Sequence, residues 1–125
     1  MARVLVIEDS ADLRDLIAQV LLLNGHVVTV ADDGEHGLAL QRADFGADVL
    51  VTDIFMPNRD GIEVIVDFKR EYPDVKIIAM SGGTGRFDGF RYLAAAEQAG
   101  ADVVLHKPFE IDELLAAIER LHPGV

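Results

Sequence analysis

Five polar residues stand out because each one follows a short β-branched and aliphatic run. They are two adjacent acids, Glu8 and Asp9, a third acid, Asp53, the hydroxyl of Ser81 and the ammonium of Lys107. If the runs are strands of one parallel sheet, their carboxyl ends meet at one edge, where open α/β sheets bind ligands. Three carboxylates at one edge repel each other, so at neutral pH a proton or a cation must compensate for their charge.

A hard divalent cation is the compensation that fits these side chains best. Mg²⁺ prefers one or two carboxylates, several waters and a substrate phosphate, and Mn²⁺ accepts similar ligands. The four histidines form no pair at zinc-binding spacing, which disfavours zinc. An aspartate beside such a cation suits phosphoryl transfer, with Asp53 as nucleophile, Lys107 neutralising a phosphoryl oxygen and Ser81 donating a hydrogen bond.

Each of these residues also has an ordinary structural explanation. Asp53 and Ser81 are residue types that begin turns, and Lys107 could be an ordinary loop lysine. Glu8 and Asp9 could simply stabilise the start of the next helix through its dipole. Acids placed at random would scatter over both ends of a sheet, so the coincidence of all five at one predicted edge favours the chemical interpretation.

The runs that end at these residues are predicted strands, and the amphipathic segments between them are predicted helices. Strands are expected at residues 3–7, 27–30, 49–52, 75–80 and 103–105. Helices are expected between Ser10 and Gly25, at 34–43, from about 61 to Tyr72, at 89–99 and at 111–121. The expected N-caps are Ser10, Asp32 in a capping box with Glu35, Asp60 and Asp88.

Five strands that alternate with five helices predict an α/β fold, in which a parallel sheet lies between two layers of helices. The chain has 125 residues, which fits a single domain over residues 1–125. No linker or internal repeat interrupts the alternation. The fold therefore places all five chemical residues at the same edge of the sheet.

Composition limits the environment and the partners. The formal charge of -11 disfavours direct binding to nucleic acid, because the phosphate backbone would be repelled. The absence of cysteine excludes disulfides and thiolate metal sites. The first apolar run reaches Glu8 and Asp9 too soon for a signal peptide or a membrane span. These features predict a soluble protein of the cytoplasm.

On these residues the chain resembles the receiver domains of bacterial two-component response regulators. The resemblance is carried by Val-Leu-Val-Ile-Glu-Asp near the start, Asp-Ile-Phe-Met-Pro with Gly61, Ser81 after the fourth strand and Lys107-Pro108-Phe109. It covers the full chain, and it implies a flavodoxin-like fold with strand order 2-1-3-4-5. If the chain is the whole product, the resemblance implies a stand-alone receiver that acts through partners.

The resemblance also implies a role for each matching residue. Asp53 would be the phosphoacceptor, Ser81 the hydroxyl of the switch and Lys107 the partner of the phosphoryl group. Glu8, Asp9, Asp53 and the backbone carbonyl of Phe55 would hold Mg²⁺. Such a domain is not a conventional enzyme, although it catalyses its own phosphorylation and dephosphorylation.

The resemblance implies two kinds of protein partner, a phosphoryl donor and a downstream target. The donor would be a phosphohistidine on a histidine kinase or on a histidine phosphotransfer protein. Phosphorylation would shift a conformational equilibrium, and a downstream protein would recognise the face formed by the fourth helix, fifth strand and fifth helix.

Two departures from the family pattern concern this switch. Val104 stands three residues before Lys107, where the family usually has an aromatic residue that changes rotamer. The segment from Ser81 to Gly100 is also longer than usual and rich in glycine and aromatic residues. We hypothesise that this segment reports phosphorylation in place of the aromatic residue; the alternative is a tolerated surface insertion.

Two other functions remain open from the sequence. A magnesium phosphatase of the haloacid-dehalogenase type also forms an aspartyl phosphate, but it needs a second aspartate two residues after the nucleophile, where this chain has Phe55. A flavodoxin-like binding module could hold a flavin phosphate on the glycine-rich loop after Ser81. In that module, however, Glu8 and Asp9 would repel the anion.

Overall fold

Five strands alternate with five α-helices along the chain, as the sequence pattern predicts. A computed structural model describes residues 1–54, 61–81 and 88–123, and for residues 88–93 it describes the backbone only. The strands are β1 (Arg3–Ile7), β2 (Val27–Ala31), β3 (Val49–Asp53), β4 (Lys76–Ser81) and β5 (Val103–His106). The helices are α1 (Ala11–Leu23), α2 (Gly34–Leu40), α3 (Gly61–Glu71), α4 (Asp88–Ala99) and α5 (Ile111–Leu121).

The strands form one parallel sheet in the order β2-β1-β3-β4-β5, which confirms the flavodoxin-like topology. Ile7 pairs with Thr52 between β1 and β3, and Asp53 pairs with Met80 between β3 and β4. Ser81 pairs with His106 between β4 and β5. This register places the carboxyl ends of four strands at one level of one edge, which is the geometry that the candidate site requires.

The sheet is buried on both faces, which explains why its strands are continuous apolar runs. Alternate residues of β1 show the division: Leu5 and Ile7 belong to one core cluster, and Val4 and Val6 to the other. The first cluster includes Phe68 of α3, and the second includes Ile17 of α1 and Ile118 of α5. The β3 strand is therefore held from both sides, and Asp53 at its end has a rigid base.

The described helices begin at or within one residue of the predicted positions, but the predicted N-cap of α2 is wrong. Ser10 caps α1 and accepts a hydrogen bond from the Leu13 N–H at 3.4 Å. The expected cap of α2, Asp32, is wrong: Asp33 accepts from the His36 N–H at 2.8 Å, while Asp32 lies 3.2 Å from the His36 ring. Both aspartates suit a cap chemically, and the turn after β2 selects the second. The expected cap Asp60 lies outside the described residues, and Asp88, the expected cap of α4, is instead the first residue of that helix.

The α2 helix also ends earlier than residue 43, the predicted end. Regular α-helix stops at Leu40, and a kinked turn follows at Gln41–Phe45, in which Ala43 and Asp44 leave the helical backbone angles. Asp44 inside this turn has a left-handed backbone with φ of 75°, and Gly46 follows with φ of 70°. The buried Gln41 side chain accepts a hydrogen bond from the Ala47 N–H at 3.1 Å. These contacts turn the chain into β3.

Candidate functional site

Three carboxylates converge at the carboxyl edge of the sheet. One oxygen from each of Glu8, Asp9 and Asp53 lies within 4.8 Å of the others. Glu8 and Asp53 are only 1% and 4% exposed, whereas Asp9 is exposed. The convergence follows from topology, because β1 and β3 are neighbours and Glu8 and Asp53 are each one step beyond the paired residues Ile7 and Thr52.

Lys107 joins two of these acids. Its Nζ donates to Glu8 Oε1 at 2.8 Å and to Asp53 Oδ2 at 3.3 Å. The backbone N–H of Lys107 donates to the Ser81 carbonyl at 2.9 Å, which anchors the end of β5 to β4. The ammonium therefore reaches across the edge from β5, and its shorter contact is with Glu8 rather than with the central aspartate.

The electrostatics of Glu8 and Lys107 reflect this burial and pairing. Burial raises the pKa of Glu8 and the charge of Asp53 adds to the effect, although the hydrogen bonds from Lys107 and Ser10 oppose it. Burial opposes the charge of Lys107, but its hydrogen bond to Glu8 and the charges of Asp53 and Glu8 outweigh burial and raise the Lys107 pKa. Three ionised carboxylates against one ammonium leave two negative charges, which a divalent cation would match.

The donor set therefore fits a hard divalent cation. Carboxylate oxygens are the protein ligands that Mg²⁺ and Mn²⁺ prefer, and the exposed Asp9 leaves one side of the cluster open to water. The carbonyl of Phe55, the fourth ligand implied by the resemblance, lies outside the described residues and stays an expectation.

Ser81 is the buried member of the predicted set whose functional atom has no hydrogen-bond partner among the described residues. Its Oγ is fully buried at the end of β4, next to Asp53 on β3. Burying a hydroxyl without a partner is unfavourable, and such groups in native proteins call for an explanation. An acceptor oxygen that enters the site during function would provide the missing partner.

Arg14 is a site residue that the sequence interpretation missed. Its Nη1 donates to the Glu8 backbone carbonyl at 3.0 Å from the first turn of α1. One signal could have revealed it, since a basic residue near a helix N-terminus is opposed by the helix dipole and needs a local reason.

An apolar groove of about 400 Å³ lies beside Lys107. It is bounded by the first turns of α1 and by the segment that leads into α5, and its lining residues are Leu13, Leu16, Lys107, Pro108, Phe109 and Ile111. The groove is therefore an apolar surface next to the acidic cluster.

Val104 lies in β5, three residues before Lys107. It is half-buried on β5, pairs with Ala79 of β4 and packs against the core cluster that contains Phe68. A small β-branched side chain thus fills the position of the family's aromatic switch. The glycine-rich segment that we expect to report phosphorylation instead is largely outside the described residues.

Comparison with known proteins gives consistent results. A family model described as "Response regulator receiver domain" matches residues 4–119. The response regulator MprA of Mycobacterium ulcerans (strain Agy99) is 36% identical over 119 residues, which cover 95% of this chain and 49% of that protein. The corresponding protein of Mycobacterium leprae (strain TN) is also 36% identical, over 50% of its length. The chain spans about half the length of the curated relatives it matches.

Solved structures agree in fold. The receiver domain of the Francisella response regulator 1452 matches with a TM-score of 0.82 and 30% identity, over 97% of this chain and 96% of that chain. The chemotaxis protein CheY4 of Vibrio cholerae matches with a TM-score of 0.85 and 28% identity, over 97% of this chain and 98% of that chain. Among the helices that the structure describes, none has the length and apolar content to cross a membrane.

Proposed function

The chain belongs to the response regulator receiver domain family, and from this premise we propose that it accepts a phosphoryl group on Asp53 in a reaction that depends on Mg²⁺. It is a two-component signalling domain and not a conventional enzyme. The observation that carries the proposal is the convergence of the Glu8, Asp9 and Asp53 carboxylates within 4.8 Å, with the Lys107 ammonium bonded to two of them.

Glu8, Asp9 and Asp53 are the residues that would hold Mg²⁺ or Mn²⁺, together with the Phe55 carbonyl. The bound ion supplies positive charge that lowers the cost of placing an anionic phosphoryl group beside carboxylates. The buried Glu8 contributes charge to the cluster, and the exposed Asp9 leaves an open side toward the donor.

Asp53 supplies the nucleophile. One of its carboxylate oxygens forms the new bond to phosphorus while the bond from phosphorus to the donor's imidazole nitrogen breaks, and the electron pair of that bond stays on the imidazole. The donor is a phosphohistidine on a histidine kinase or a histidine phosphotransfer protein. The later hydrolysis of the aspartyl phosphate at the same site returns the domain to its resting state.

Lys107 and Ser81 stabilise the product. The Lys107 ammonium, which bridges Glu8 and Asp53 at rest, pairs with one phosphoryl oxygen. The Ser81 hydroxyl donates to another oxygen and so gains the partner that it lacks among the described residues at rest. Both residues end strands at the β4 and β5 side of the sheet, so we propose that their movement shifts the face formed by α4, β5 and α5.

We propose that this reaction takes place in the cytoplasm, where phosphohistidine donors operate; without cysteine, no disulfide of this chain requires an oxidising compartment. The domain is expected to act on protein partners rather than on nucleic acid because of its charge of -11. Family membership favours this proposal over the two other functions considered above: the phosphatase would lack its second aspartate at Phe55, and Glu8 and Asp9 would repel a flavin phosphate.

Intact mass after incubation with acetyl phosphate and Mg²⁺ tests the proposal. We expect one phosphoryl adduct, which does not form when a chelator is present during the incubation and does not form in Asp53→Asn. Asp53→Asn keeps the size of the side chain and removes its nucleophilic charge. An adduct that persists in this variant would overturn the assignment of Asp53.

A further inference from the structure

We infer that Arg14 is a positioning residue for the cation site, acting through the backbone of Glu8. The inference rests on the proposed function, since it concerns the site in which that function takes place. It starts from one contact, in which Arg14 Nη1 donates to the Glu8 carbonyl oxygen at 3.0 Å. This hydrogen bond ties helix α1 to the segment that carries two of the three acids.

Every polar group of Glu8 is partnered, and Arg14 provides one of these four contacts. The Glu8 N–H donates to the Ala31 carbonyl at 3.1 Å, and its Oε2 accepts from the Ser10 N–H at 3.0 Å. Its Oε1 accepts from Lys107 at 2.8 Å. Strand β1 has ended at Ile7, so the Glu8 carbonyl is satisfied by a side chain rather than by the ladder between β1 and β3.

These contacts differ in what happens to them when a cation arrives. The two carboxylate contacts involve oxygens that a cation would use, so they must weaken or change. The two backbone contacts involve atoms that are not ligands and can persist. Arg14 and Ala31 therefore hold the Glu8 backbone in place while its carboxylate exchanges partners.

The positive charge of Arg14 at this place needs a specific structural explanation. A cationic side chain opposes the helix dipole near the start of α1, and it raises the energy of a divalent cation nearby. No carboxylate among the described residues lies within salt-bridge distance of its guanidinium, so within that part of the chain ion pairing does not account for it. The contact with the Glu8 carbonyl remains as the local reason for an arginine at this place.

The two explanations predict opposite signs for the same measurement. If Arg14 acts only as a nearby charge, Arg14→Met should tighten Mg²⁺ binding, because one repulsion is removed. If Arg14 positions Glu8, Arg14→Met should weaken Mg²⁺ binding although the site becomes more negative. Groups that orient metal ligands typically change affinity by 10-fold to 100-fold, and since Ala31 still holds Glu8 we expect a loss of about threefold to tenfold.

The experiment is a Mg²⁺ titration of the full chain, followed by the amide NMR shifts of residues 8–10. Arg14→Lys keeps the charge with one shorter donor and should recover part of the lost affinity. Arg120→Met, in the last turn of α5, removes the same charge at an exposed position and should leave the affinity unchanged or slightly tighter. Thermal unfolding without Mg²⁺ shows whether each variant is folded. If Arg14→Met does not fold, the Mg²⁺ affinity of Arg14→Lys is compared with that of wild type instead.

A second readout separates this inference from the proposed function. With acetyl phosphate as donor, Arg14→Met should need more Mg²⁺ for half-maximal phosphorylation, while the limiting rate at saturating Mg²⁺ stays within about twofold of wild type. Unchanged or tighter Mg²⁺ binding in Arg14→Met would overturn the inference and leave the proposed function intact. A wild-type chain that accepts no phosphoryl group would instead overturn the proposed function, and the Mg²⁺ titration would still decide the role of Arg14.

Discussion

Two buried hydroxyls on neighbouring strands differ in a way that bears on function. Thr52 Oγ1 donates to the Asp53 carbonyl at 3.1 Å, whereas Ser81 Oγ has no partner among the described residues, and both residues are fully buried. A satisfied hydroxyl stabilises the resting fold, and an unsatisfied one weakens it. At the scale of single residues, we therefore propose that the Ser81 hydroxyl gains its hydrogen-bond partner in the phosphorylated state.

Substituting these two hydroxyls should give opposite results for stability. Ser81→Ala is expected to leave the free energy of unfolding unchanged or raise it by up to about 1 kcal/mol, because it removes a buried hydroxyl that has no partner in the part of the chain that the structure describes. Thr52→Val keeps the side-chain shape but removes a hydrogen bond, so it should lower the free energy of unfolding by about 1 kcal/mol. Denaturant unfolding of the unphosphorylated chain measures both, and a clear loss of stability in Ser81→Ala would contradict the resting geometry.

The sequence predicts which residues meet at the site, but not how they pair. Convergence of Glu8, Asp9, Asp53, Ser81 and Lys107 follows from parallel topology alone, and the structure brings them together. The preference of Lys107 for Glu8 depends on burial and rotamers, which spacing does not contain. The contact from Arg14 was missed for the same reason.

At the scale of elements, the start of α3 lies against the end of β3. The N–H of Gly61 donates to the Ile54 carbonyl at 2.9 Å, and a Cβ at Gly61 would overlap the Asp53 carbonyl oxygen and Ile54 backbone atoms. Backbone atoms cannot move aside as the end of a side chain can. Glycine at this position therefore lets helix and strand approach closely enough to fix Asp53.

Gly61→Ala is expected to lower the free energy of unfolding by about 2 kcal/mol or more and to weaken Mg²⁺ binding, because the strand end must shift. Gly37→Ala is the matched control, since a Cβ there would meet the side chain of Ile7 rather than backbone. It should cost stability without changing Mg²⁺ affinity. Equal Mg²⁺ affinities in the two variants would argue against the role given to Gly61.

The opposite end of the sheet has a titratable contact. The Ala2 N–H, just before β1, donates to His26 Nδ1 at 3.0 Å, so this contact needs the neutral imidazole. Burial lowers the His26 pKa below its ordinary value of 6.5; the amino terminus and His122 act in the same direction, and Glu119 opposes them. Because the folded pKa is lowered, this stability is present above pH 6.5 and is lost as the pH falls through the folded value.

His26→Asn should reduce the loss of stability on acidification, since the asparagine oxygen can accept the same hydrogen bond without titrating. Between about pH 7 and about pH 5, wild type should lose up to about 1 kcal/mol more than the variant. His36→Asn is the control, because the exposed pair of His36 and Asp32 contributes little. Parallel pH profiles for wild type and His26→Asn would show that His26 does not carry the dependence.

The α2 helix shows where sequence patterns stop being sufficient for an element. Strand bounds were predicted within one residue, because buried parallel strands are continuous apolar runs. The end of α2 was not predicted, because the kinked turn at Gln41–Phe45 depends on tertiary contacts. Gln41 accepts from the Ala47 N–H, and the Arg3 side chain donates to the Phe45 carbonyl at 2.9 Å. Such tertiary contacts produce no periodic pattern of apolar residues in the sequence.

At the scale of the whole molecule, the site and the proposed output face meet at strand β5. Ser81 ends the neighbouring strand β4 and Lys107 follows β5, while Val104, three residues before Lys107, packs against the core cluster that contains Phe68. A rotamer switch of the usual aromatic kind is absent, so the signal needs another route. The glycine-rich segment after Ser81 is the route that we hypothesise.

Amide hydrogen exchange with and without beryllofluoride, a phosphoryl mimic, tests this route. Exchange should change in residues 81–92 and in α4, β5 and α5, and should stay unchanged in β2 and α2. An unchanged segment at residues 81–92 would contradict its reporting role. Unchanged exchange over the whole α4, β5 and α5 face would contradict the switch.

The most direct test of the central claim identifies the atom that receives the phosphoryl group. The chain is phosphorylated with acetyl phosphate and Mg²⁺, reduced with borohydride, which converts an aspartyl phosphate to homoserine, and mapped by peptide mass spectrometry. We expect homoserine at position 53 and at no other acid. Homoserine at position 8 or 9, or phosphate retained on Ser81 or on a histidine, would contradict the assignment of Asp53 as the phosphoacceptor.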